Sequence, residues 1–250
     1  MENETSYSDD LKAAESGDPR AQYNMALRTQ RGDGCDPDPE LALDWLTRSA
    51  EGGFAPAQFQ LGYRYAEGID GARDFEKAAH WFREAAEQGD RDAQYNIGVY
   101  YAHGHGVPQD DQRAAYWFEK AARQEDPAAA QVLGDCYTEG AGVPKDEKLA
   151  FYWYAESARL GNAKGQYRLA ICYAGGKGTP RDNVRAIYWL TRAAGAGQAD
   201  AQYTLGAYYL EQGKENPALN RQGVGWLRRA ARQGHHDAAD RLAKFDPPAD

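Results

Sequence analysis

The chain has 250 residues, a formal net charge of −9, 42% hydrophobic and 12% aromatic residues, and three cysteines. So much aromatic side chain excludes a disordered polypeptide, three cysteines exclude a disulfide framework, and no run approaches the roughly 18 apolar residues that a membrane-spanning helix needs. The negative charge gathers at the ends, where Glu2, Glu4, Asp9, Asp10, Glu15 and Asp18 stand against Lys12 alone and Asp246 and Asp250 close the chain; with no net basic stripe between them, a nucleic-acid partner is not expected.

The opening residues MENETSYSDD lack a basic segment followed by an apolar run. No secretory signal is therefore read there, and a cytoplasmic location is expected, or a periplasmic one if a signal preceded this chain. The lead-in LKAAESGD then reads as the end of a helix, because it matches EKAARQED later in the chain.

From that point one unit is repeated. Trp45, Trp81, Trp117, Trp153, Trp189 and Trp226 follow at intervals of 36, 36, 36, 36 and 37 residues, a period that marks a stacked-repeat architecture. The same step links Ala26, Gly62, Gly98, Gly134, Ala170 and Gly206, and the small pairs from Ser49-Ala50 to Ala230-Ala231. The third unit shows the content. AQYNIGVYYAHG places Ala93, Ile97, Gly98 and Tyr101 on one helical face, and DQRAAYWFEKAARQ places Ala114, Trp117, Phe118, Ala121 and Ala122 on another.

Between the two helices lies GHGVPQD, repeated as GAGVPKD and GKGTPRD. Glycine ends the first helix, proline blocks its continuation, and Asp38, Asp74, Asp110, Asp146 and Asp182 cap the second. The recurring small residue at Gly98 implies that a partner helix approaches closely there. The sequence thus predicts an all-α solenoid of helical hairpins in one domain: a half-unit over 8–18, repeats over 19–54, 55–90, 91–126, 127–162, 163–198 and 199–235, a half-unit over 236–245, and a tail over 246–250. One residue is inserted in the sixth unit, near Pro217 to Asn220.

The blocks Ala-x-x-x-Leu-Gly-x-x-Tyr, Gly-x-Gly-Val-x-x-Asp and Ala-x-x-Trp-x-x-x-Ala-Ala-x-x-Gly resemble the Sel1-like repeat, a relative of the tetratricopeptide repeat. Thr29 replaces the tyrosine in unit one, Glu125 the closing glycine in unit three, and unit six lacks the Gly-x-Gly-Val loop. The resemblance implies a right-handed α-solenoid that scaffolds protein complexes, and implies no catalytic residues and no cofactor.

If the stack curves as that family does, the first helices line a concave side. The row begins with Tyr23, Asn24, Leu27 and Arg31, then Phe59, Gln60, Tyr63 and Glu67, then Tyr95, Asn96, Val99 and His103. It continues with Gln131, Val132, Asp135 and Glu139, then Tyr167, Arg168, Ile171 and Gly175, then Tyr203, Thr204, Ala207 and Glu211. The side chains along this row vary while the packing positions do not, which points to a binding face for a protein or peptide. Aromatic stripes at helical spacing are also ordinary packing. GGKGTP lacks the spacing of a phosphate-binding loop, and His103 and His105 have no third ligand in reach, so no metal is expected.

The leading expectation is a monomeric, non-enzymatic adaptor. Two alternatives stand beside it: an immunity protein that neutralises one bacterial toxin enzyme, and a weak β-lactam-binding hydrolase. The relatives that suggest the hydrolase carry repeated cysteine pairs; here Cys35, Cys136 and Cys172 are expected to stay reduced.

Overall fold

A computed structural model describes residues 7–213 and 216–245; Glu2, Glu4 and the tail over 246–250 lie outside the described residues. Among the described residues all regular structure is helical. Helix α1 (Tyr7–Glu15) is followed by six pairs: α2 (Pro19–Arg31) with α3 (Pro39–Glu51), α4 (Ala55–Glu67) with α5 (Phe75–Glu87), α6 (Arg91–His103) with α7 (Asp111–Arg123), α8 (Pro127–Glu139) with α9 (Glu147–Arg159), α10 (Ala163–Gly175) with α11 (Asn183–Gly195), and α12 (Ala199–Gln212) with α13 (Pro217–Arg232). Helix α14 (His236–Phe245) ends the series. Each pair is an α-hairpin, and the architecture is an all-α solenoid. The chain divides within α7 into two compact units, residues 1–121 and 122–250.

The connectors explain why the hairpins close. Gly32, Gly68, Gly104, Gly140 and Gly176 stop the first helices in the left-handed conformation, which glycine adopts without a steric cost. The aspartates then cap the second helices: Asp38 accepts from the N–H groups of Glu40 and Leu41, and Asp110 from that of Arg113 at 3.0 Å. The Lys77 N–H holds the Asp74 carboxyl below the usual carboxylate range. The second loop glycine has its own reason. A Cβ on Gly106 would lie 2.1 Å from the Phe75 carbonyl oxygen, and one on Gly178 would lie 2.0 Å from that of Glu147, so each loop seats directly on the first turn of the preceding hairpin's second helix.

The small position inside the first helices faces a large side chain. A Cβ on Gly62 would come within 2.9 Å of the Phe82 ring, on Gly98 within 2.8 Å of Phe118, and on Gly134 within 2.5 Å of Tyr154. Where alanine stands instead, at Ala26 and Ala170, the side chain in the matching place of the second helix is Leu46 or Leu190, in the same core. In units two to four the close approach is thus made by a ring; in unit six Gly206 instead faces Leu227 and the Gly223 carbonyl, at 2.9 and 3.0 Å from where a Cβ would stand.

A buried glutamine ties four of the six hairpins to the helix before. The side-chain amides of Gln22, Gln58, Gln94 and Gln202 donate to the carbonyls of Ala14, Ala50, Ala86 and Ala194, eight residues earlier, at 3.0–3.2 Å. These carbonyls belong to the last turns of the preceding helices, where each also accepts the backbone N–H three residues on and uses its second lone pair for the glutamine. At the N-terminal end, the buried Asp10 of α1 pairs with Arg28 of α2 at 2.8 Å.

Unit six departs from the rest. Its connector is short, Gly213 is not left-handed, and Asn216 caps α13 with Pro217 in its first turn. The inserted residue is absorbed in a second helix of 16 residues where the others have 13.

Candidate functional site on the first-helix face

In residues 1–121 the predicted row is largely engaged in packing. Tyr23 meets Phe54 edge-on at 5.3 Å, Phe59 meets Phe82 at 5.8 Å, and Tyr95 meets Phe118 at 5.9 Å. The Asn96 amide donates to the carbonyl of Asp92 in its own helix, at 2.7 Å, while the Gln60 side-chain oxygen is shielded without a hydrogen-bond partner. Asn24, Leu27 and Val99 are half-buried; Tyr63 is half exposed and His103 exposed. His105, next to His103, stacks on Phe75 at 5.3 Å, and no group of three metal-binding side chains forms among the described residues.

In residues 122–250 the same row converges. Gln131, Val132, Asp135, Tyr167 and Arg168 line one pocket of about 390 Å³ together with Lys164, Gln198 and Asp200. Beside it an apolar pocket of about 480 Å³ is walled by Ile171 and Ala174 of α10, Ile187 and Leu190 of α11, and Thr204 and Tyr208 of α12. On α10, Lys164, Tyr167, Arg168, Ile171 and Ala174 follow the three- and four-residue spacing of one helical face; on α12, Asp200, Thr204, Tyr208 and Glu211 do the same. Both pockets open along α10, the polar one between α8, α10 and the start of α12, and the apolar one between α10, α11 and α12; together they are termed the α10 channel. Tyr203 lies aside, stacked on His235 at 4.6 Å.

Asp135 is the hub of the polar end. It accepts from the Tyr154 hydroxyl at 2.7 Å and from the Gln131 amide, and its Oδ1 lies 3.0 Å from Arg168 Nε. Burial, with the bond to Asp135 acting in the same direction, raises the Tyr154 phenol well above its usual range, so it remains a donor. Lys164, Gln198, Asp200 and Tyr208 are absent from the row read in the sequence. The four-residue step from Lys164 to Arg168 was available as a signal; the approach of Gln198 and Asp200 from the next hairpin was not.

Burial pushes the Cys172 thiol up to about 11, leaving it protonated near neutral pH, and the three cysteines are free. Among the described residues no helix is long and apolar enough to cross a membrane.

Stacked hairpins with a channel on their first-helix face define the class as an α-solenoid. The sequence pattern of the Sel1 repeat matches residues 19–54, 55–90, 91–126, 127–162, 163–198 and 199–235. The chain belongs to the Sel1 repeat family, whose members are generally protein-interaction scaffolds. It is similar to the crystal structure of a Sel1 repeat protein from Oxalobacter formigenes, with 33% identity and a TM-score of 0.73, over 86% of this chain and 85% of that one. It is also similar to a protective antigen of uropathogenic Escherichia coli with an SLR fold, at 32% identity and a TM-score of 0.64 over 98% of this chain; it spans 60% of that longer protein. An immunity protein from Pseudomonas aeruginosa aligns over 74% of this chain and 68% of its own, at 23% identity and a TM-score of 0.49, too distant to bear on function. No curated protein matches the chain.

Proposed function

We propose that this protein is a non-catalytic adaptor, and that the channel along α10 holds a segment of another protein. The observation that carries this reading is the meeting, in one channel, of the variable row with open apolar and charged side chains. In residues 1–121 the aromatic members of the same row are packed on neighbouring rings. A solenoid offers such a face as a preformed surface, which lowers the ordering cost of binding.

The test is a capture experiment from lysate of the source cells, comparing wild type with an Arg168→Glu/Ile171→Asp variant and, as control, with Tyr152→Ala on the exposed side of α9. Proteins bound by wild type and Tyr152→Ala but lost from the double variant are expected. Equal recovery by all three, with unchanged circular dichroism, would contradict the proposal.

A further inference from the structure

The charges in the channel are unequally engaged. Asp135 is surrounded by the donors of Tyr154, Gln131 and Arg168. Asp200 accepts from the Gln198 amide at 2.7 Å, and its other oxygen lies 3.4 Å from His235 Nε2. His235 Nδ1 accepts the Ala238 N–H at 3.3 Å, which leaves Nε2 as the nitrogen that carries the proton facing Asp200. Both carboxylates at the polar end are thus committed to donors within the protein.

The two cations at that end are less fully engaged. Lys164 is exposed and has no ion-pair partner among the described residues. Arg168 lies beside Asp135, with Nε 3.0 Å from Oδ1, yet its side chain stays 47% exposed. A guanidinium carries five donors, so one that is half exposed beside a first carboxylate can still receive a second.

The apolar pocket sets a distance. The midpoint of Lys164 and Arg168 lies about six residues before that of Ile171 and Ala174, or roughly 9 Å along the helix. An extended chain covers that span in about three residues. The small side chains Ala170, Ala174 and Ala186 keep the pocket open, with room for an aliphatic side chain.

We infer that the channel recognises an extended segment of a partner protein bearing an aspartate or glutamate, which meets Lys164 and Arg168, and an aliphatic side chain about three residues away, which enters the pocket between α10, α11 and α12. This inference rests on the protein-binding reading above and names the chemistry of the segment.

The experiment is selection of random dodecapeptides displayed on phage against the full chain, with the enriched peptides then titrated against three variants. Lys164→Glu lies on an exposed side chain and leaves the Asp135 hub intact; Lys164→Glu/Arg168→Glu reverses the whole cationic end; Ile187→Asp charges the apolar pocket. The expected peptides share an acidic residue about three positions from Leu, Ile, Val or Met. They should bind at least tenfold more weakly to each charge-reversal variant and to Ile187→Asp, and weaken as salt rises. Peptides that lose binding to Ile187→Asp but not to the charge reversals would overturn the acidic partner while leaving the channel as a binding site. Peptides indifferent to all three variants, or no enrichment, would overturn both.

Discussion

Gln166 is 4% exposed, and its side-chain oxygen has no hydrogen-bond partner. Its counterparts are satisfied: Gln58 accepts from Gln88 at 2.7 Å, and Gln202 accepts from Gln233 at 2.9 Å. Both donors sit at the C-cap of the second helix of the same hairpin, and in the fifth hairpin that place is held by Ala196. Ala196→Gln should supply the missing donor and stabilise the protein by about 1 kcal/mol, a rise of roughly 2–4 °C in melting temperature by calorimetry. An unchanged or lower melting temperature would show that the added amide stays in solvent. None of this was legible in the repeat register, although AQY recurs in it. A buried glutamine and a solvent-facing one look alike in sequence.

At the scale of the helix pair, the sequence made the close approach visible and hid its cause. The alternation of Gly62, Gly98 and Gly134 with Ala26 and Ala170 is plain, but the ring that faces each of these glycines lies twenty residues downstream in the other helix. Gly98→Ala should cost about 1–2 kcal/mol: overpacking against Phe118 outweighs the gain of about 1 kcal/mol in helix propensity. In a Phe118→Leu background, which copies the Ala26–Leu46 and Ala170–Leu190 pairs, the same substitution should be neutral or stabilising. Urea unfolding of the four members of that cycle should give a coupling energy of at least about 1 kcal/mol; strict additivity would refute the pairing. Caps and loop glycines, by contrast, were fully readable, because Asp, Gly and Pro act through the backbone within a few residues. One unit shows the cost of breaking that pattern: Glu125 adopts a positive φ of 60° where the other units have glycine, while its carboxylate reaches Arg159 at 2.8 Å.

Over the whole molecule, periodicity carries the architecture, and departures from periodicity carry the function. The register places Gln131, Asp135, Tyr167 and Arg168 on the first-helix face, yet it gives no reason why these converge on a channel when Tyr23, Phe59 and Tyr95 are spent on packing. That difference arises from Ala170, Ala174 and Ala186 leaving space, and from Lys164 and Asp200 arriving from the starts of neighbouring first helices. The central claim is that this face, and not the exposed tyrosines Tyr152 and Tyr188 of the second helices, meets the partner. Photo-crosslinking from an aryl-ketone amino acid placed at Thr204, and separately at Tyr152, in cells of the source organism would test it most directly. A discrete protein adduct from Thr204 that is absent from Tyr152 is the predicted result; an adduct from Tyr152 alone would contradict the account.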